Sequence, residues 1–178
     1  SEEPLERQIT REAFITLRVD NVAEAAASIR LLAVELKGRV SWEEINDSSG
    51  RFGAYSTITL AVPSSKLDQA LDSLAEMGTV QTRSISATDV TEEVVDVNSR
   101  IATMRESIDR LNALMKKSGS VADIAAIEGE LTKRQAELDS LLTRQKYLTG
   151  RVEMSPITVT LVPKGAEYSQ PNPFVEGL

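Results

Sequence analysis

Cysteine and histidine are both absent from this chain of 178 residues. Their absence excludes thiol nucleophiles, Cys/His zinc sites, imidazole general bases and the Ser-His-Asp arrangement. No disulfide supports the fold, although a lack of cysteine leaves the redox compartment open. Aromatic residues number only seven (one Trp, three Tyr, three Phe), and the 20 Lys and Arg are scattered among 27 Asp and Glu, for a net charge of −7. A cationic stripe and a stacking platform are therefore both missing, which argues against nucleic-acid binding and against attraction to an anionic lipid surface. No run approaches the about 18 apolar residues that a membrane-spanning helix needs. No signal peptide is recognisable, and the start at Ser1-Glu2-Glu3-Pro4 reads as the trimmed end of a longer protein. In that case missing targeting segments carry no information on location.

What the chain does have is an ordinary globular composition, 41% hydrophobic and 26% charged, and one long periodic stretch. Val94, Val97, Ile101, Met104, Ile108, Leu111 and Met115 follow at steps of three and four. After a Lys116–Ser120 break the pattern resumes at Ile124, Ile127, Leu131, Leu138, Leu141 and Leu148. This is the seam of a coiled coil folded back by a tight turn. Thr91 is placed to cap the first helix, with Glu92 and Glu93 suiting its positive end, and Ser120 with Asp123 forms a capping box for the second. Each helix of roughly 27 residues would extend ~40 Å.

Strand-like segments flank this hairpin. Ala13, Ile15, Leu17 and Val19 alternate on one face of a first strand. A helix capped by Asn21, with Glu24 three residues on, carries the stripe Val22, Ala25, Ala26, Ile29, Leu32, Ala33 and Leu36 and ends at Gly38. Strands follow at Val40–Ile45 and Tyr55–Val62, separated by a polar turn over Asn46–Gly50. A second helix buries Leu67, Ala70, Leu71 and Leu74 and ends at Gly78. The fourth strand, Thr79–Ala87, alternates poorly, because Val80 and Ile85 have opposite parity; a bulge, or a sheet covered on both faces, is expected. Ile157, Val159 and Leu161 define the last strand.

The order β-α-β-β-α-β predicts an α+β, ferredoxin-like split β-α-β sheet with an inserted antiparallel coiled-coil hairpin before the last strand. A hairpin returns the chain to where it left, so strands four and five are expected as antiparallel neighbours, in the order 5-4-1-3-2. The domains are then 9–90 with 151–163 for the sheet and 91–150 for the hairpin. Residues 164–178, with Pro171 and Pro173, read as a linker toward a membrane segment outside the chain.

Candidate chemistry is sparse. Asp89, Glu92, Glu93 and Asp96 form the densest carboxylate group, but no D-x-D-x-D-G loop accompanies it, and helix-start electrostatics accounts for it. Asp96 and Arg100, four residues apart, are a candidate architectural pair or interaction site at the base of the hairpin. Arg134 and Gln145 occupy seam positions, where polar residues set register or meet a partner helix. Trp42, the single Trp, suits core or edge packing. No phosphate-loop pattern is present. The reading is of no catalytic residues, no metal and no cofactor.

Several stretches resemble one bacterial family. They are Leu60–Leu74, the Gly78-Thr-Val step, the D-V-T-x-x-x-x-D-x-x-x-R-I run from Asp89 to Ile101, and the S-x-I-T-V-T-L strand from Ser155 to Leu161. Together they resemble domain of unknown function 4349, over roughly Ile9 to Val162. The resemblance implies an extracytoplasmic domain tethered to the membrane, by lipid or by a spanning helix, through segments that this chain does not contain. It transfers no catalytic residues. The function expected is therefore non-enzymatic interaction or sensing at the bacterial cell envelope, with a protein partner met through the hairpin. Two alternatives stand beside it: a structural adaptor contacting another envelope component, and a small-ligand or enzymatic domain with a cleft between sheet and hairpin.

Overall fold

The computed structural model describes residues 6–46 and 55–165. Most of the polar turn expected after Asn46, the first residues of the chain and nearly all of the 164–178 tail lie outside the described residues. Among the described residues the fold is α+β, with four α-helices and a mixed five-stranded sheet. By contact density the chain divides into two units. One takes residues 6–10 and 88–152, and the other takes 11–87 and 153 onward.

In the second unit, β1 (Ile9–Val19) leads into α1 (Val22–Glu35). Asn21 caps α1, its side-chain oxygen accepting the Glu24 N–H at 3.0 Å. The helix ends in a Schellman motif: Gly38 N–H donates to the Ala33 carbonyl and Lys37 N–H to that of Val34. The left-handed residue there is Lys37, at φ 59°, rather than the expected glycine. Gly38 is needed for another reason: a Cβ on it would lie 2.3 Å from the Ala61 carbonyl oxygen. A 3-10 turn at Ser64–Lys66 then opens α2 (Leu67–Ala75).

The remaining strands are β2 (Arg39–Asn46), β3 (Tyr55–Pro63), β4 (Thr79–Asp89) and β5 (Met154–Pro163). Their order is β2-β3-β5-β1-β4, which corrects the expected 5-4-1-3-2. β5 is not an edge beside β4; it lies between β1 and β3, parallel to the first and antiparallel to the second. The β1–β3 adjacency of a ferredoxin-like sheet is thereby broken. Composition gives the reason. Ile157, Val159 and Leu161 are fully buried, opposite Ala13, Ile15 and Leu17 on one side and Leu60, Ile58 and Ser56 on the other. A strand with that payload gains most where both edges are paired and one face is covered. β4 cannot compete for the position, since all eleven of its residues are exposed. Its poor alternation goes with an uncovered edge and not with the expected burial on both faces. A register shift occurs in β2, between Val40 and Trp42.

Both helices of this unit cover one face of the sheet. Ala26, Ile29 and Ala33 of α1 and Leu67, Leu71 and Leu74 of α2 join the inward residues of β1, β3 and β5 in one apolar core. The opposite face carries Thr16, Thr57, Thr59, Thr158 and Thr160 in cross-strand register, and the Thr59 and Thr158 hydroxyls approach to 3.4 Å. β-branched polar residues suit a strand face of this kind, on which Thr57, Thr59, Thr158 and Thr160 are half-buried and Thr16 is buried. Trp42 sits opposite Thr59 and is 51% exposed, so it belongs to the edge and not to the core.

The first unit is a helical hairpin. Its helices are α3 (Thr91–Lys117) and α4 (Val121–Glu153), joined by Ser118-Gly119-Ser120. No helix is long and apolar enough to cross a membrane among the described residues.

Candidate functional site

The hairpin begins with a hydrogen-bonded anchor. Asp89 Oδ1 accepts the Thr91 backbone N–H at 3.0 Å and the Thr91 hydroxyl at 2.6 Å, while Arg7 Nη1 reaches Asp89 Oδ2 at 3.0 Å. Thr91 Oγ1 in turn accepts the Gln8 N–H at 2.9 Å, and Val90 N–H donates to the Gln8 carbonyl. The N-cap of α3 is Val90, whose side chain has no bond to give, so Asp89, one residue earlier, takes the N–H of Thr91, the first helical residue, where the sequence placed Thr91 itself at the cap. The bonds from Thr91, followed by the charge of Arg7, hold the Asp89 carboxyl below its ordinary aspartate value.

Beyond the anchor, Val97, Ile101 and Met104 of α3 pack against Leu138, Leu141 and Leu148 of α4, with Val94, Ile108 and Leu142 partly buried beside them. Polar bridges flank this seam. Arg144 Nε donates to Glu93 Oε1 at 2.8 Å, and its guanidinium lies 5.2 Å from the Tyr147 ring centre. Arg100 Nη2 reaches Glu137 Oε1 at 3.4 Å, and Gln145 Nε2 donates to Asn98 Oδ1 at 2.7 Å. Glu93 and Arg144, like Arg100 and Glu137, stand equally far from the Ser118-Gly119 turn, so the helices are antiparallel and in one register.

The four residues singled out from sequence have different fates. Gln145 is half-buried and bridges the helices through Asn98, beside a recess of ≈ 90 Å³ lined by Val94, Val97 and Leu148. Arg100 also bridges the helices, but to Glu137 and not to Asp96. Asp96 is exposed and forms no ion pair among the described residues. Arg134 stays on its own helix, 3.9 Å from Glu130. The structure thus places Arg100 and Gln145 in cross-helix bridges and keeps Asp96 and Arg134 out of them. Glu93, Asn98, Glu137 and Arg144 were missed. Equal distance from the turn is the signal that would have found two of these pairs.

The acidic group at the start of α3 is dispersed, since Asp89 binds Thr91, Glu93 meets Arg144 and Asp96 faces solvent. Among the described residues no three or more acidic side chains are grouped to hold a metal ion.

Toward the turn the packing thins. Leu111, Met115, Ile124 and Leu131 are only half-buried, while Leu114 is 54% and Val121 84% exposed. Leu114, Lys117, Ser118, Asp123, Ala126 and Ile127 line an open cleft of ≈ 360 Å³, and Ser118 Oγ is buried there without a hydrogen-bond partner among the described residues. A proximal half closed by apolar packing thus gives way to a distal end that leaves apolar side chains in solvent.

The chain belongs to the family described as Domain of unknown function (DUF4349), which matches residues 7–178. No curated protein and no solved structure matches it.

Proposed function

We propose that this chain is a non-enzymatic interaction domain of a membrane-tethered bacterial envelope protein, lying outside the cytoplasm, with the α3–α4 hairpin as its contact element. The observation that carries this reading is the exposure of Leu114 and Val121 beside the Ser118 turn, at the end of a hairpin whose proximal half is well packed. Side chains of this size at a solvated helix end are costly to keep free and gain by covering. The heptad-like spacing of both helices supports reading the hairpin as an antiparallel coiled coil. The sheet, with β5 set aside, keeps the order of a split β-α-β unit, which supports a ferredoxin-like ancestry.

The exposed apolar end also favours the adaptor form of this proposal, in which the hairpin meets another envelope component. The ligand-binding alternative has less behind it, because the polar cleft beside α1 (Asp20, Asn21, Glu24 and Ser28, ≈ 280 Å³) is open and carries no convergent catalytic pair.

The test uses a photo-crosslinking residue at Val121 and, as control, at Glu35 of α1, in cells making the protein with its native flanking segments. A discrete protein adduct from position 121 that disappears with Leu114→Asp is expected. Equal adducts from both positions, or none from position 121, would remove the reading. Location is checked separately with Ser65→Cys, the chain's single thiol in that variant. It should react with a membrane-impermeant maleimide in intact spheroplasts, and protection until lysis would place the domain inside.

A further inference from the structure

β4 ends the sheet, and nothing among the described residues covers it. Its eleven residues, Thr79–Asp89, are all exposed, and its outer edge has no strand beside it. Such an edge offers a row of unpaired backbone N–H and C=O groups. The opposite edge is blunted, because β2 carries a register shift between Val40 and Trp42 and the adjacent carboxylates Glu43 and Glu44. β4 has no such run of charge: it has no Pro, no Gly, no Lys, and Arg83 as its sole charge before Asp89. Natural sheets rarely leave a long, β-branched, nearly neutral edge open.

We infer that two copies of this chain associate edge to edge through β4, antiparallel about a two-fold axis at Ser84. The occupant is a second copy because the strand complements itself. Sheets that capture foreign extended peptides select them with pockets for alternate side chains. The side chains of β4 are exposed along its whole length and so do not themselves wall such pockets. A two-fold axis normal to the sheet makes one residue face itself, and Ser84 is the midpoint that pairs all eleven residues. In that register Arg83 faces the second copy's Ile85, and Thr82 faces its Ser86, so no like charges meet. Centring on Arg83 would oppose two guanidinium groups. The blunted β2 edge stops growth beyond the pair, so the association closes as an isologous dimer.

The experiment uses the whole chain. Sedimentation equilibrium at submillimolar concentration should show a dimer. Ile85→Lys should give a monomer that melts cooperatively, as the wild-type chain does when diluted below its dimerisation range, because it sets Lys against the second copy's Arg83 at a position already 46% exposed. Ser84→Cys in this cysteine-free chain should close an intermolecular disulfide under mild oxidation at least about tenfold faster than Ser86→Cys. In this register two cysteines at 86 lie roughly 14 Å apart along the strands, well beyond disulfide reach. A monomeric wild-type chain would overturn the inference. So would a dimer that Ile85→Lys leaves intact, or one in which Ser84→Cys cross-links no faster than Ser86→Cys.

Discussion

The Ala61 carbonyl of β3 passes so close to Gly38 that a Cβ on Gly38 would lie 2.3 Å from its oxygen. Backbone meets backbone here, so neither side can yield by changing a rotamer. Gly38→Ala should cost about 1–3 kcal/mol through overpacking where α1 turns into β2. Gly129, inside α4, has nothing within 4 Å of the corresponding point. Gly129→Ala should stabilise the hairpin by about 0.5–1 kcal/mol, because glycine is a poor helix former. Chemical denaturation of both variants checks the contrast, and equal effects would show that space at Gly38 is not limiting.

Asp89 predicts an acid dependence. Its folded value is lowered, chiefly by the Thr91 bonds, so its contribution is fully present above the unfolded aspartate value. That contribution is lost as pH falls through the lower folded value. Asp89→Asn should therefore melt below wild type near neutrality, and the gap should narrow as pH falls below the ordinary aspartate value of about 4. A constant gap over that range would mean that the carboxylate charge is not what anchors α3.

Arg100 and Glu137 are both about half-exposed. A double-mutant cycle to Ala should return a coupling of about 0.5 kcal/mol, as expected for a solvated cross-helix pair. The same cycle between Arg100 and Asp96 should return nothing measurable. Coupling in the second cycle and not the first would restore the pairing read from sequence.

Leu161 of β5 is fully buried, whereas Val80 of β4 is 39% exposed. Leu161→Ala should cost about 2–5 kcal/mol, and Val80→Ala within about 0.5 kcal/mol of zero. A chain ending at Gly150 loses the strand between β1 and β3, so its sheet should show no cooperative unfolding. A truncated chain with an unchanged transition would place β5 outside the sheet.

Local pattern carried most of the element boundaries. Alternation along β1, β3 and β5 states which side chains face the core, and three-four spacing states the seam of α3 and α4. Asn21 is a cap because its short side chain reaches the Glu24 N–H. The start of α3 was harder to read, because the carboxylate that takes the Thr91 N–H, Asp89, lies at the end of a strand and one residue before the N-cap. Pairing across the hairpin was partly legible as well. Gln145 stood out as a polar seam residue, but Arg144 needed the register before Glu93 could be named as its partner.

The amino-acid sequence by itself determined which segments are strands and helices, which faces they bury, and that α3 and α4 fold back on each other through Ser118-Gly119-Ser120. Only the tertiary structure decided who neighbours whom in the sheet. Alternation has a period of two and fixes the face of a strand, but it contains nothing about the partner at either edge. β5 took the position between β1 and β3 because Ile157, Val159 and Leu161 are best buried with two paired edges under α1 and α2. The sparsely apolar β4 was left outside, where its side chains lose nothing by remaining in water.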